Sequence, residues 1–150
     1  MSVTIEELAA RLGRLEDVEA ARGFFHTYAE TLDVPDPATV AALFAVDGKL
    51  HTPMGSFEGR DAIEKFYGEA FAADTSLKRH FLANAKSESL EPGVVRLQSY
   101  FLYVGRGDDA SIIGWGTYDD TIDVSGESPL FVEKTIEVHM GTTLDQGWAK

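Results

Sequence analysis

The chain of 150 residues (16.4 kDa) has the length of one ordinary domain, enough to bury roughly two-thirds of its unfolded surface, with no room for a second. Thirteen Lys and Arg against 25 Asp and Glu give a net charge of −12, which excludes a binder of nucleic-acid phosphates or anionic membranes, since both need clustered positive charge. Zero cysteines exclude a disulfide framework, thiolate metal sites and a cysteine nucleophile. No apolar run reaches the roughly 20 residues of a membrane helix, and Glu6 and Glu7 stand where a leader would be basic, so the expected compartment is cytoplasmic.

Thr4 stands three residues before Glu7, the spacing of a capping box, and Ile5, Leu8, Ala9 and Leu12 form a short apolar stripe that predicts a helix over about residues 4–13. Val18, Ala21, Phe25, Tyr28 and Leu32 recur at helical spacing and predict a second, longer helix from about Glu16 to Leu32. Asp36-Pro37 supplies an N-cap and a proline at the first helical position. With Val40, Leu43 and Phe44 as the buried face and Gly48 as the stop, it predicts a third, short helix. Leu50-His51-Thr52, Pro53-Met54-Gly55 and Ser56-Phe57-Glu58 read as strand, turn and return strand. Ile63, Phe66, Tyr67, Ala70 and Phe71 mark the inner face of a fourth helix from about Arg60 to Ala73.

Beyond Asp74 the apolar period becomes two. Runs over about 78–90, 93–105, 110–124 and 129–141 are divided by Glu91-Pro92-Gly93, by Gly105 to Asp109, and by Ser125 to Pro129. Short turns between neighbouring strands mean an antiparallel meander. Helices followed by a long sheet give an α+β domain spanning residues 1–150, with one sheet face packed on the helices.

Unbroken alternation in the last run puts Leu130, Val132, Ile136, Val138 and Met140 on one face with Lys134, a lone cation among apolar neighbours. Either the lysine snorkels past the sheet edge into water, or it lies in a pocket and needs a carboxylate or an anionic substrate to offset desolvation. His80, Leu82 and Asn84 alternate with Phe81, Ala83 and Ala85, which places a group titrating near neutrality and an amide on one face. Asp33 closes the second helix about 140° around from Tyr28 on a regular helix, so the two converge only if the helix end unwinds. Asp119, Asp120 and Asp123 read as solvated charges along an exposed strand edge. His26, His51 and His139 complete no metal-ligand spacing. Tyr100, Phe101, Tyr103, Trp115 and Tyr118 on the middle strands serve as core or as a pocket wall.

These elements and several strings resemble the SnoaL-like branch of the nuclear transport factor 2-like superfamily over nearly the whole chain. The strings are Tyr28-Ala29-x3-Asp33-x2-Asp36 leading into Val40-Ala41-Ala42-Leu43-Phe44-Ala45-Val46-Asp47, then Pro53 through Ile63, then His80-x3-Asn84, and Gly116-Thr117-Tyr118-x-Asp120. The resemblance implies a cone-shaped, curved antiparallel sheet packed around N-terminal helices, a cystatin-like roll that encloses an apolar cavity. Its dehydratase-type members, among them scytalone dehydratase, bile acid 7α-dehydratase and hexachlorocyclohexane dehydrochlorinase, use a His-Asp pair as the base for elimination, and His80 and Asp33 stand at the matching positions. Tyr28 resembles the tyrosine that some of these enzymes aim at the substrate, and Lys134 falls where several carry an arginine. Thr52 stands where the ketosteroid isomerases place their aspartate base, and Gln98, Tyr100, Leu102 and Tyr103 supply no acid or histidine on the strand where some dehydratases have one.

The resemblance therefore implies a lyase without cofactor or metal, acting by dehydratase- or dehydrohalogenase-type elimination on a cyclic hydrophobic small molecule. His80, Asp33 and Tyr28 are the expected catalytic residues, and Lys134, Asn84, Thr52, Gln98, Tyr100 and Trp115 the expected pocket residues. The alternatives are a non-catalytic ligand-binding or assembly module of the same fold, and an enzyme like a polyketide cyclase or steroid isomerase. A homodimer or homotrimer is expected through an apolar outer sheet face, with no nucleic-acid or membrane partner.

Overall fold

The computed structural model describes residues 2–145 together with Gly147 and Trp148. Its elements are α1 (Ile5–Asp33), α2 (Pro37–Ala41), β1 (Phe44–Thr52), β2 (Gly55–Glu58), α3 (Arg60–Ala73), β3 (Leu77–Glu91), β4 (Val94–Arg106), β5 (Ser111–Asp123) and β6 (Leu130–Leu144). The strands form a six-stranded sheet in the order β2-β1-β6-β5-β4-β3. The helices pack on its inner face, and the sheet curves around them without closing. The helix at 60–73 and the four long strands lie close to where the apolar periods place them.

The two helices expected over 4–13 and 16–32 are one helix of 29 residues. The capping box forms as expected: Glu7 N donates to Thr4 Oγ1 (3.1 Å) and Thr4 N to Glu7 Oε2 (2.8 Å). Nothing after Leu12 breaks the backbone. At 100° per residue, however, the stripe Ile5, Leu8, Leu12 and Leu15 lies about 160° around the helix from Ala21, Phe24, Phe25, Tyr28 and Leu32. Only the second stripe is buried. A change in the direction of the apolar face, not a helix end, separates the two patterns.

The third helix is shorter than expected. It stops at Ala41, and Phe44 opens a strand in which Gly48 is an interior residue. The cause is a long-range pairing: Phe131 N donates to Leu43 O (2.8 Å), and Phe44 lies beside Phe131 in a parallel ladder. The sheet is therefore mixed, with β1 parallel to β6 and every other neighbouring pair antiparallel. Phe24, Phe44 and Phe131 meet where that pairing joins α1, with ring centroids 4.6 and 5.1 Å apart.

Register shifts interrupt alternation where the sequence suggests none, and two of them bear on the expected site residues. In β6 the ladder passes from Ile122↔Phe131 to Thr121↔Glu133 and Asp120↔Lys134, so Val132 is an extra residue. Phe131 then shares the inner face with Lys134, and Val132 turns out to solvent. In β3 the register shifts between Ala83 and Lys86, and Asn84 there has φ 54°. This left-handed conformation belongs to one form of bulge, and asparagine adopts it more readily than most residues.

Candidate active site

The C-terminal end of α1 and the start of β3 meet at one carboxylate. Asp33 Oδ1 accepts from the backbone N–H of His80 (3.0 Å) and lies 2.9 Å from His80 Nδ1. The backbone amide can only donate, so the oxygen is an acceptor, and the second contact assigns the ring proton to Nδ1. Nε2 then carries the free lone pair, and among the described residues it has no hydrogen-bond partner. Burial pushes the His80 pKa below 6.5, with Asp33 pulling it back up. The ring is consequently neutral at pH 7 and able to take a proton.

His80 and Asp33 border a largely apolar cavity of about 440 Å³. Its walls come from Tyr28 and Leu32 of α1, from Phe66, Tyr67, Ala70 and Phe71 of α3, and from Phe101, Tyr103, Tyr118, Ile136 and Val138 of the sheet. The β1–β2 turn (Thr52, Pro53, Met54) and the segment from Asp74 to Lys78 complete it. Lys78 Nζ and Asp74 Oδ2 form an ion pair of 2.6 Å beside this segment. The Tyr103 ring lies 6.1 Å from the His80 ring, centroid to centroid.

Tyr28 Oη and Tyr67 Oη are 2.7 Å apart. Burial raises both hydroxyl pKa values above the ordinary 10, so each keeps its proton. Two protons and one mutual hydrogen bond leave a hydroxyl proton to be offered elsewhere. No other described residue accepts it.

Lys134 is not in the cavity. It is fully buried one layer below, with Nζ 3.0 Å from both carboxylate oxygens of the equally buried Asp120. The ammonium sits 4.1, 3.7 and 4.7 Å from the ring centroids of Tyr28, Tyr118 and Phe131. Burial pushes the Asp120 carboxyl up to about 6 against the pull of Lys134, and burial lowers Lys134 against the pull of Asp120. Asp120, read from sequence as a solvated charge, is thus the carboxylate that the lysine needs. The bulge at Val132 makes the match: without it, continued alternation would set Asp120 opposite Glu133.

The structure brings His80, Asp33, Tyr28 and Thr52 to the cavity and places the other expected pocket residues elsewhere. Thr52 reaches the rim, but its hydroxyl is engaged in the turn, accepting from Met54 N (3.1 Å) and donating to Gly55 O (3.2 Å). Asn84 turns outward at its bulge. Gln98 and Tyr100 point outward because Leu97, Ser99 and Phe101 take the inward positions of β4, and Trp115 does so because Gly114, Gly116 and Tyr118 take those of β5. Tyr67, Tyr103 and Tyr118 were visible as core or wall aromatics, but only helix-on-sheet packing turns their rings and hydroxyls toward one space. Among the described residues no group of three or more His, Asp or Glu side chains is placed to hold a metal.

A model of the SnoaL-like domain family matches residues 13–127. No curated protein matches the sequence at a significant level. Among solved structures, a protein provisionally named scytalone dehydratase from Novosphingobium aromaticivorans is 22% identical over 92% of this chain and 98% of its own, with a TM-score of 0.78. Hexachlorocyclohexane dehydrochlorinase LinA-type3 from Novosphingobium barchaimii is 15% identical over 93% and 97%, with a TM-score of 0.79. The β subunit of an aromatic-ring-hydroxylating dioxygenase, so named provisionally, from Novosphingobium aromaticivorans is 17% identical over 81% and 88%, with a TM-score of 0.71. At these identities the likeness establishes a shared fold.

Proposed function

The chain belongs to the SnoaL-like domain family, and on that premise we propose that it is a lyase that needs no cofactor and performs an elimination on a cyclic, hydrophobic small molecule held in the cavity. The observation that supports this reading is the 2.9 Å contact between His80 Nδ1 and Asp33 Oδ1 at the edge of an apolar space of about 440 Å³. A neutral imidazole with its Nδ1–H on a carboxylate presents Nε2 as a general base, and the carboxylate stabilises the cation that forms.

In the proposed reaction Nε2 takes a proton from a ring carbon next to an activating group. The electron pair of that C–H bond becomes the new C=C bond, and the substituent on the adjacent carbon departs with its own bonding pair, as halide or as hydroxide that is protonated to water. Tyr28, paired with Tyr67, donates its hydrogen bond to the developing negative charge or supplies that proton. Lys134 and Asp120 act from below by holding the rings of Tyr28 and Tyr118 in place.

The test is a panel of cyclic β-hydroxy ketones and chlorinated cyclohexanes, with product identified by mass spectrometry. A positioned base contributes about 10²–10⁴-fold, so His80→Ala is expected to lower turnover by that factor while leaving the fold intact. Full turnover in this variant would overturn the reading. The likeness to a dioxygenase β subunit favours a second reading, a ligand-binding or assembly module. Under that reading the wild type binds members of the panel and converts none.

A further inference from the structure

Helix α1 has two apolar faces, and the body of the protein uses one. Ala21, Phe24, Phe25, Tyr28 and Leu32 enter the core. Ile5, Leu8, Leu12 and Leu15, on a face about 160° away, remain 85, 52, 56 and 68% exposed. The segment that carries them is a well-formed helix, closed by the capping box at Thr4 and Glu7. It is tied to the body on its other side only towards its C-terminal end, where Asp17 Oδ2 accepts from Gly93 N (2.9 Å) and Gly13 and Arg14 run past the β3–β4 turn, while every residue from Ile5 to Leu12 is exposed. The described residues of the chain therefore leave the seam uncovered.

The spacing of the seam points to its occupant. Steps of three, four and three residues from Ile5 to Leu15 are the a and d positions of two heptads, the pattern by which one helix packs along another of the same kind. In that frame Arg11 is a g residue and Glu16 the following e residue. In a parallel pair, g of one helix faces the following e of the other, so Arg11 meets Glu16 of the second copy on both sides of the seam. An antiparallel pair would set g against g and e against e. The g positions hold Thr4, Arg11 and Val18 and the e positions Ala9 and Glu16, so no opposite charges would meet. Glu19 and Arg22 take the next a and d positions and end the apolar stretch.

We propose that two copies of this chain associate through the N-terminal turns of α1 as a parallel two-stranded coil, with Ile5, Leu8, Leu12 and Leu15 as the common seam and Arg11 facing Glu16 of the second copy. Two heptads alone are too short to hold helices together in water, but these belong to a helix whose second half is already fixed in the core, so pairing orders no new backbone. The arrangement is two-fold and closed. Both bodies lie on the far sides of the coil, and at 1.5 Å per residue the seam ends about 27 Å from Asp33, which leaves the cavity open. Another exposed apolar surface, the outer-face rank Phe81, Leu102, Trp115 and Met140 aligned across β3 to β6, has no comparable pattern to identify what covers it.

The absence of native cysteine makes the pairing directly readable. Leu12→Cys and Leu8→Cys, each alone, are expected to form a disulfide between two copies under mild oxidation, because like positions meet in a parallel coil. In sedimentation equilibrium at micromolar concentration the wild type is expected at twice 16.4 kDa. Leu8→Lys with Leu12→Lys should halve that mass without changing the circular dichroism of the folded chain. Arg11→Glu should weaken the association about tenfold, as two attractive contacts become repulsive, and adding Glu16→Arg should restore it. A monomeric wild type would overturn the proposal, as would a mass indifferent to the lysine pair. Disulfides formed only when the two cysteine variants are mixed would overturn it by showing an antiparallel pair, and a monomer that sediments with phosphatidylcholine vesicles would assign the seam to a lipid surface instead.

Discussion

Lys134 and Asp120 show how much one buried pair depends on both its members. Taking the two charges out of water is costly, and two hydrogen bonds of 3.0 Å with three aromatic faces around the ammonium offset that cost. Removing one member leaves the other buried and uncompensated. Lys134→Met alone, or Asp120→Leu alone, is expected to cost about 3–5 kcal/mol in urea unfolding, whereas the double replacement recovers most of the loss because an apolar pair of similar volume needs no compensation. His80 makes the corresponding statement about pH. Its pKa in the folded chain lies below the unfolded value of 6.5 because burial disfavours the cation. In the window between the two values the unfolded chain holds a proton that the folded chain does not, so stability falls as pH is lowered through it. Activity should follow the neutral imidazole: kcat/KM is expected to be flat near pH 7 and to fall below pH 6.5. In Asp33→Asn the acid limb should move lower still, since the carboxylate that favours the cation is gone, and the plateau should drop with the loss of orientation. An acid limb that rises in pH in Asp33→Asn would contradict this account.

At the scale of elements, the strands owe their faces to interruptions as much as to alternation. The bulges at Asn84 and Val132 each reverse which residues look inward, and the strand β6 would present Phe131 and Lys134 on opposite faces without one. Another shift lies between Trp115 and Gly116 in the pairing of β5 with β6, where the backbones come very close. A Cβ at position 116 would lie 1.8 Å from the carbonyl oxygen of Glu137 and 2.8 Å from the Phe101 ring. Because the nearest atom is backbone, no rotamer change relieves it, and Gly116→Ala is expected to cost at least about 1–3 kcal/mol by thermal unfolding. The helices show a related economy. In α1 a single backbone serves two apolar faces in succession, which is why its sequence pattern resembles two helices.

For the molecule as a whole, the net charge of −12 says little about the site, because the groups around the cavity are mostly neutral rings and hydroxyls, joined by the His80–Asp33 contact and the Lys78–Asp74 ion pair. Among the described residues no helix is long and apolar enough to cross a membrane. Period, caps and turn residues were enough to locate α3 and the four long strands, and the order of elements was enough to expect helices on one face of a sheet. His80 and Tyr28 were legible because an unbroken pattern and a family resemblance point to them together. Asp120 was not, since an aspartate between Asp119 and Thr121 looks like any solvated strand residue until its opposite neighbour is known.

The division has one physical cause. Side-chain periodicity and capping are set by backbone geometry within a turn or two, so the sequence by itself determined α3, the four long strands and, where no bulge intervenes, their faces, whereas the continuity of α1 and the start of β1 at Phe44 were set by packing. The parallel pairing of β1 with β6, the register that sets Asp120 against Lys134, and the meeting of Asp33 with His80 join residues 14 to about 90 positions apart. Those contacts are chosen by competition among whole packings of the chain, and only the tertiary structure decided them.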